Sequence, residues 1–223
     1  WRLHLPGLAG EPLQRWDKGD NHWRTTFDNQ LRPVTVAENG EVDIDVFRYA
    51  DASADAGHNQ RGQLLEQSDR AGTLRTDSFA LSGQPLRETR TFLDKEAFTS
   101  RRIFSPLGAV LEQTDAGGHR QQSHYGLAGQ LRQVQLLING ETAWRPVLND
   151  AHYNAAELII EQQSGNGMHS QWSYDPADGR LHTQSSRKDS GEVLQDFEYF
   201  YDRVGNITRI EDHAFAPSWF ANQ

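Results

Sequence analysis

The stretch Phe200-Tyr201-Asp202-Arg203-Val204-Gly205-Asn206-Ile207-Thr208-Arg209-Ile210 decides the fold. An aromatic-rich run meets Asp202, then Gly205, and alternation resumes at Ile207, which reads as strand, tight turn, strand. The same figure recurs upstream. Gly10, Gly62, Gly83, Gly108, Gly129, Gly179 and Gly205 each lie two or three positions ahead of an aliphatic residue: Leu13, Leu64, Leu86, Val110, Leu131, Leu181 and Ile207. An aromatic usually stands four positions before the glycine, as Phe79, Phe104, Tyr125 and Tyr201 do, or five, as Tyr174 does. The unit is aromatic-x-x-x-Gly-x-aliphatic. Two further copies carry another residue at the glycine position, Tyr153…Glu157-Leu158-Ile159 and, more loosely, Phe27…Leu31.

Successive anchors at 10, 31, 62, 83, 108, 129, 157, 179 and 205 alternate between short and long steps. A second set of turn signals lies between them: Gly19, Asn39-Gly40, Gly72, Asp94-Lys95, Gly117-Gly118, Asn139-Gly140, Gly165-Asn166-Gly167 and Ser190-Gly191. Together the two sets interrupt the chain about every 9 to 14 residues, the spacing of short strands joined by hairpins. Asn-Gly is the strongest of these signals, because both central residues of a type I′ turn need positive φ.

The intervening segments alternate. Val42, Ile44 and Val46 share one face of a predicted strand and Glu41, Asp43 and Asp45 the other; Trp23, Thr25 and Phe27 oppose Arg24 and Thr26. Towards the end Val193, Phe197, Tyr199 and Tyr201 oppose Asp196, Glu198 and Asp202, but Leu194 and Phe200 spoil the second face. A compact sandwich has a cleaner inner stripe, so the pattern predicts an all-β, thin, partly two-sided antiparallel sheet. Residues 50–57, small and polar, predict a surface loop. Between Asn149 and Ile160 local propensity favours a capped helix while the repeat frame favours strand; tertiary context overrides propensity of this size, and strand is expected.

Composition bounds the function. The 223 residues carry 22 Lys+Arg against 31 Asp+Glu, a formal charge of −9. That balance, with no basic run longer than a pair such as Arg101-Arg102, argues against nucleic acid and against an anionic membrane surface. No apolar run approaches the roughly 18 to 20 residues that span a bilayer. Aromatics at 10% argue for order despite a polar composition. The absence of cysteine removes disulfides, thiolate metal sites and Cys nucleophiles together. A chain that opens on Trp1, without a leader, is expected to be a piece of something longer.

The repeat unit, most clearly Tyr201-Asp202-Arg203-Val204-Gly205-Asn206 and then Tyr174-Asp175-Pro176-Ala177-Asp178-Gly179-Arg180-Leu181, resembles the YD (Tyr-Asp) repeat of the RHS family. The ordered strings Phe104-Ser-Pro-Leu-Gly108, Leu127-Ala-Gly-Gln-Leu131, Gly165-Asn-Gly and Val193-Leu-Gln-Asp196 resemble more narrowly the N-terminal region of the C component of bacterial Tc (ABC-type) insecticidal toxins. The resemblance covers essentially all of residues 1–223. It implies an extended curved sheet of hairpins, part of a hollow shell formed with the B component. That shell encapsulates a toxic C-terminal region until the pore-forming A component delivers it, in a secreted complex. The family's autoprotease and toxin regions lie beyond the matched part, so no catalytic residue carries over. The residues expected to define the repeat are Phe104, Gly108, Tyr125, Gly129, Tyr174, Asp175, Gly179, Tyr201, Asp202 and Gly205, all structural.

His119 and His124 fall on opposite faces of a strand, and His182 and His213 have no carboxylate at a useful sequence spacing, so neither a metal nor a cofactor is expected. Asp175 and Asp202 each head a turn, where Asp caps its own backbone. Gly-x-Ser-x-Gly and phosphate-cradling loops are absent, which argues against an enzyme. Trp23, Trp144, Trp172 and Trp219 keep carbohydrate as an alternative ligand, in an adhesive YD module of another RHS protein; aromatics of this kind more often pack the sheet.

Overall fold

A computed structural model describes residues 2–215. The chain forms two compact units, Trp1–Gly118 and His119–Gln223, and both are built from antiparallel strands joined in chain order. The first unit contains β1 (Leu3–Pro6), β2 (Pro12–Trp16), β3 (His22–Phe27), β4 (Pro33–Glu38), β5 (Glu41–Tyr49), β6 (Leu64–Asp69), β7 (Gly72–Phe79), β8 (Pro85–Phe92), β9 (Ala97–Phe104) and β10 (Val110–Thr114). The second contains β11 (Arg120–Tyr125), β12 (Leu131–Leu137), β13 (Arg145–Tyr153), β14 (Ile159–Ser164), β15 (Met168–Tyr174), β16 (Leu181–Lys188), β17 (Val193–Tyr201) and β18 (Ile207–Asp212). Within each unit every strand pairs with its sequence neighbours, from β1–β2 to β9–β10 and from β11–β12 to β17–β18.

This meander explains the two sets of turn signals. The nine anchors fall in the β1–β2, β3–β4, β5–β6 and every later alternate connection, so within a unit they share one edge of the sheet. The second set supplies the connections at the opposite edge. One repeat is therefore one hairpin, and the alternating short and long steps measure hairpins of unequal strand length. Residues 149–160 are strand, turn, strand. The small polar loop at 50–57 is largely exposed and leads into a single 3-10 turn, Ala56–His58, whose Asp55 accepts a hydrogen bond from the Gly57 N–H at 2.7 Å.

Two local expectations need correction. Asp43 adopts φ +57° and interrupts the alternation of β5, leaving Val42 70% exposed, so Asp43 and Asp45 do not continue one regular face. Asn39 and Gly40 are both at positive φ, as a type I′ turn demands, but at Asn139-Gly140 only the glycine is, and Ile138 O accepts from the Glu141 N–H at 3.0 Å. Positive φ at the third residue alone is the type II pattern. At Gly83 the residue opposite Phe79 is Pro85, and Leu86, the aliphatic of this copy, follows it.

The interior is thin. Among the described residues the buried apolar side chains are Ala50, Phe79, Val134, Leu148 and Ala151, and no large side chain is fully buried. Val134, Leu148 and Ala151, with Leu131, Tyr153 and Ile159 against them, form one cluster across β12, β13 and β14. Lateral contacts do the rest. Directly opposed hydroxyls pair across strands, Thr26 with Thr35 at 2.7 Å, Thr89 with Thr99 at 2.9 Å and Ser170 with Ser186 at 2.8 Å. Such pairs are the unit of sheet stabilisation. Arg90 bridges Asp69 in a bidentate pair that spans β7.

Candidate functional site

The chemistry of this chain is concentrated at the repeat turn. All nine anchors have positive φ: Gly10, Leu31, Gly62, Gly83, Gly108, Gly129, Glu157, Gly179 and Gly205. Leu31 at +59° and Glu157 at +62° hold this conformation with a Cβ present. The reason is the hydrogen-bond pattern. At the last hairpin the Gly205 N–H donates to Asp202 O at 3.2 Å, and the Asp202 N–H donates to Asn206 O at 2.9 Å. The same two bonds recur at Gly126/Gly129, at Asn154/Glu157 and at Ser105/Gly108. A tight turn followed by a left-handed residue that forms a bulge is a standard hairpin closure.

The register shift places the motif's aromatic opposite the residue two beyond the anchor: Phe104 faces Val110, Tyr125 faces Leu131, Tyr153 faces Ile159, Tyr174 faces Leu181 and Tyr201 faces Ile207. The sequence unit is thus one cross-strand pair flanking one bulge.

The Asp of the Tyr-Asp pair caps its own turn. Asp202 Oδ1 accepts from the Val204 N–H at 3.0 Å and the Asn206 N–H at 2.9 Å, while Oδ2 accepts from the Asn206 side chain at 2.8 Å. The Asn206 amide, then its backbone N–H, hold the Asp202 carboxyl below the usual carboxylate range. Asp175 Oδ1 accepts from the Ala177 N–H at 2.8 Å. Where the aspartate is missing, Asn154 Oδ1 accepts from the Ala156 and Leu158 N–H groups, both at 3.0 Å, and Ser105 Oγ accepts from the Ala109 N–H at 3.1 Å. Asp28 is a further member, accepting from the Gln30 and Arg32 N–H groups. Its signal was the Phe27-Asp28 dipeptide.

Junctions between hairpins reuse the same positions. Tyr153 donates its hydroxyl to Leu131 O at 2.9 Å, Tyr174 to Ile159 O at 2.8 Å and Tyr201 to Leu181 O at 2.8 Å. Each acceptor lies two residues beyond the anchor of the preceding hairpin, so each tyrosine ties its turn to the one before. Burial pushes the Tyr174 hydroxyl above its ordinary pKa. The residue just after the anchor reaches the next turn: Arg32 donates to Gly62 O at 3.3 Å, Gln84 to Gly108 O at 3.1 Å and Arg180 to Asp202 O at 3.2 Å. The turn tips point apolar groups outward, with Leu8, Leu81, Leu107, Leu127 and Val204 all more than 80% exposed.

The histidine expectation needs revision. His182 and His213 do have carboxylate neighbours, because Glu198 stands opposite Glu211 in the β17–β18 ladder: His213 Nε2 lies 3.4 Å from Glu198 Oε2, and His182 Nε2 lies 3.8 Å from Glu198 Oε1. Spacing along one strand cannot reveal a neighbour on the next. Of the tryptophans, Trp23 borders a hollow of about 460 Å³ with His4 and Asp45, but the Arg15 guanidinium lies 4.1 Å over its ring. Arg120 lies 5.4 Å over Trp144, and Trp172 is half-buried in β15. Trp219 lies outside the described residues.

Hairpins tied turn to turn in this way define the class, an all-β repeat sheet of the YD (RHS) type. The chain is, more narrowly, Tc toxin C-component-like. It is 30% identical over 230 residues to toxin subunit YenC1 of Yersinia entomophaga, covering 88% of this chain and 24% of that protein. It is 29% identical over 226 residues to toxin subunit YenC2 of the same organism, covering 86% of this chain and 23% of the relative. It therefore spans about a quarter of the length of these relatives. Among solved structures it matches the crystal structure of TcdB2-TccC3 with a TM-score of 0.88 and 28% identity, over 97% of this chain and 12% of that one. It also matches the Photorhabdus luminescens Tc holotoxin pore carrying TccC3-D651A, with a TM-score of 0.87 and 27% identity, over 97% of this chain and 11% of that one. No family model matches the chain. No helix among the described residues is long and apolar enough to cross a membrane.

Proposed function

We propose that this chain is a stretch of wall. Its residues 2–215 form YD hairpins in the C component of a secreted Tc toxin, which with the B component encloses a cytotoxic C-terminal region for delivery by the A component. The observation that carries this reading is the TM-score of 0.88 to TcdB2-TccC3 over 97% of the chain. The internal design supports it. A repeat whose turns bond to the preceding turn through Tyr153, Tyr174 and Tyr201 grows by adding copies, and its stability is a sum of local interfaces. The two-sided polarity suits a partition with solvent on both faces.

The segment itself is structural and non-enzymatic. The Oδ1 atoms of Asp28, Asp175 and Asp202 are engaged by their own turn N–H groups, and the chain contacts neither nucleic acid nor membrane. The carbohydrate alternative is the weaker reading, since guanidinium groups lie over Trp23 and Trp144. The test is co-expression of the full-length parent with its B-type partner, followed by size exclusion and limited proteolysis. The proposal expects co-elution and a protease-protected C-terminal region. A parent that elutes alone, with that region cleaved freely, would contradict it.

A further inference from the structure

The β16–β18 region carries a cluster that the wall does not require. Glu198 on β17 and Glu211 on β18 are direct cross-strand partners, and like charges placed so are destabilising. The ladder continues one step, with the His213 N–H donating to Asp196 O at 2.7 Å. Strand alternation therefore puts His213 on the same face as Glu211. His213 Nε2 lies 3.4 Å from Glu198 Oε2 and 3.9 Å from Glu211 Oε2. The three ligand atoms fall within 4.8 Å of one another.

His182 approaches from the other side. The β15–β16 register steps from Ser173↔Thr183 to Tyr174↔Leu181, leaving His182 as the extra residue of a bulge. A bulge re-aims a side chain that regular alternation would send to the opposite face. Its Nε2 comes to 3.8 Å from Glu198 Oε1. Two imidazoles and two carboxylates thus converge from three strands.

We propose that Glu198, Glu211 and His213 bind a divalent transition metal of the zinc class, with His182 or water as the fourth ligand. Tetrahedral zinc with bonds of about 2.0–2.1 Å has ligand–ligand edges of about 3.3–3.4 Å. The His213–Glu198 separation of 3.4 Å already matches, and the two longer edges, His213–Glu211 at 3.9 Å and Glu198–Glu211 within 4.8 Å, close by side-chain rotation, because the groups are half-exposed. Nitrogen donors select zinc, cobalt or nickel over magnesium and calcium, which prefer an all-oxygen shell. The bound ion neutralises the opposed glutamates and staples β17 to β18. Arg209, at 3.2 Å from Glu211 Oε1, is the group that offsets this charge when no metal is present.

The test is calorimetric titration of zinc chloride into the metal-stripped full chain at neutral pH, with cobalt chloride read by visible absorption. The expected result is one saturable equivalent, a tetrahedral cobalt spectrum, and no competition from excess magnesium or calcium. His213→Ala and the isosteric Glu198→Gln and Glu211→Gln should each weaken binding by at least about tenfold, the loss seen even for groups that only support a ligand. His169→Ala, whose imidazole pairs with Asp189 elsewhere, should leave binding intact. Melting curves without metal identify any variant that fails to fold, and the two isosteric changes then carry the comparison. No saturable binding, or binding that survives Glu198→Gln and Glu211→Gln in folded protein, would overturn the site.

Discussion

The Tyr201 hydroxyl donates to the backbone carbonyl of Leu181 at 2.8 Å, joining one hairpin to the preceding one. Tyr174 and Tyr153 repeat the contact to Ile159 and Leu131. Tyr201→Phe removes only the donor, so it should cost about 1 kcal/mol, the net worth of one intramolecular hydrogen bond. Urea unfolding checks this. Tyr153→Phe with Tyr201→Phe should add, because the two sites share no neighbour, whereas Tyr174 lies opposite Leu181, the Tyr201 acceptor. A change below about 0.3 kcal/mol for both would show that the tyrosines do not tie the turns.

The anchor conformation gives a second prediction. Gly129 has φ +86° with open space where a Cβ would sit, so Gly129→Ala pays only backbone strain, about 1–2 kcal/mol. Gly165 is different. A Cβ there would lie 1.7 Å from Pro146 O, so Gly165→Ala must shift backbone and should cost at least about 2 kcal/mol. Glu157→Gly and Leu31→Gly relieve left-handed strain, offset in part by the entropy glycine restores to the unfolded chain, and should be neutral or stabilising by up to about 1 kcal/mol. Thermal melts of the four variants rank these effects, and equal losses for Gly129→Ala and Gly165→Ala would contradict the close-approach argument.

The turn aspartates set the acid limb of stability. Asp28 is lowered first by the Arg32 N–H and Asp202 first by the Asn206 amide. A carboxyl whose folded pKa lies below its unfolded value contributes stability that is present above about pH 4 and lost as pH falls through the folded value. The melting temperature should therefore drop below about pH 4, and more gently in an Asp28→Asn, Asp202→Asn variant. Equal slopes in parent and variant would remove the turn caps from the account. Tyr174 acts in the opposite sense: its raised value means stability present below about pH 10 and lost as pH climbs above it.

Leu81, Leu107 and Leu127 project from turn tips with exposures of 96%, 97% and 112%. Serine at these positions should change the stability of the chain by no more than about 0.5 kcal/mol while reducing self-association, measurable by light scattering. Loss of fold in any of them would mean that the tips pack within the chain.

The hairpin period was legible because it depends on local chemistry, a left-handed residue at each anchor and, at all but Gly10 and Gly62, an aromatic four or five residues earlier. Even Leu31 and Glu157, without glycine, kept the frame through Phe27 and Tyr153. What the sequence could not disclose is what lies opposite across strands. The Tyr hydroxyl contacts reach a carbonyl 15 to 22 residues away, and the Glu198–Glu211–His213 cluster exists only because the β17–β18 register puts two glutamates face to face. Asp43 departs from simple alternation for a related reason, since one left-handed residue inside β5 shifts the phase of every side chain before it.

The most direct measurement is a cryo-electron microscopy reconstruction of the full-length parent bound to its B-type partner. It should place residues 2–215 within the wall of a hollow body, with consecutive hairpins laid edge to edge and Tyr153, Tyr174 and Tyr201 at the junctions. A separate module projecting from that body, or a sheet closed around its own ligand pocket, would contradict it.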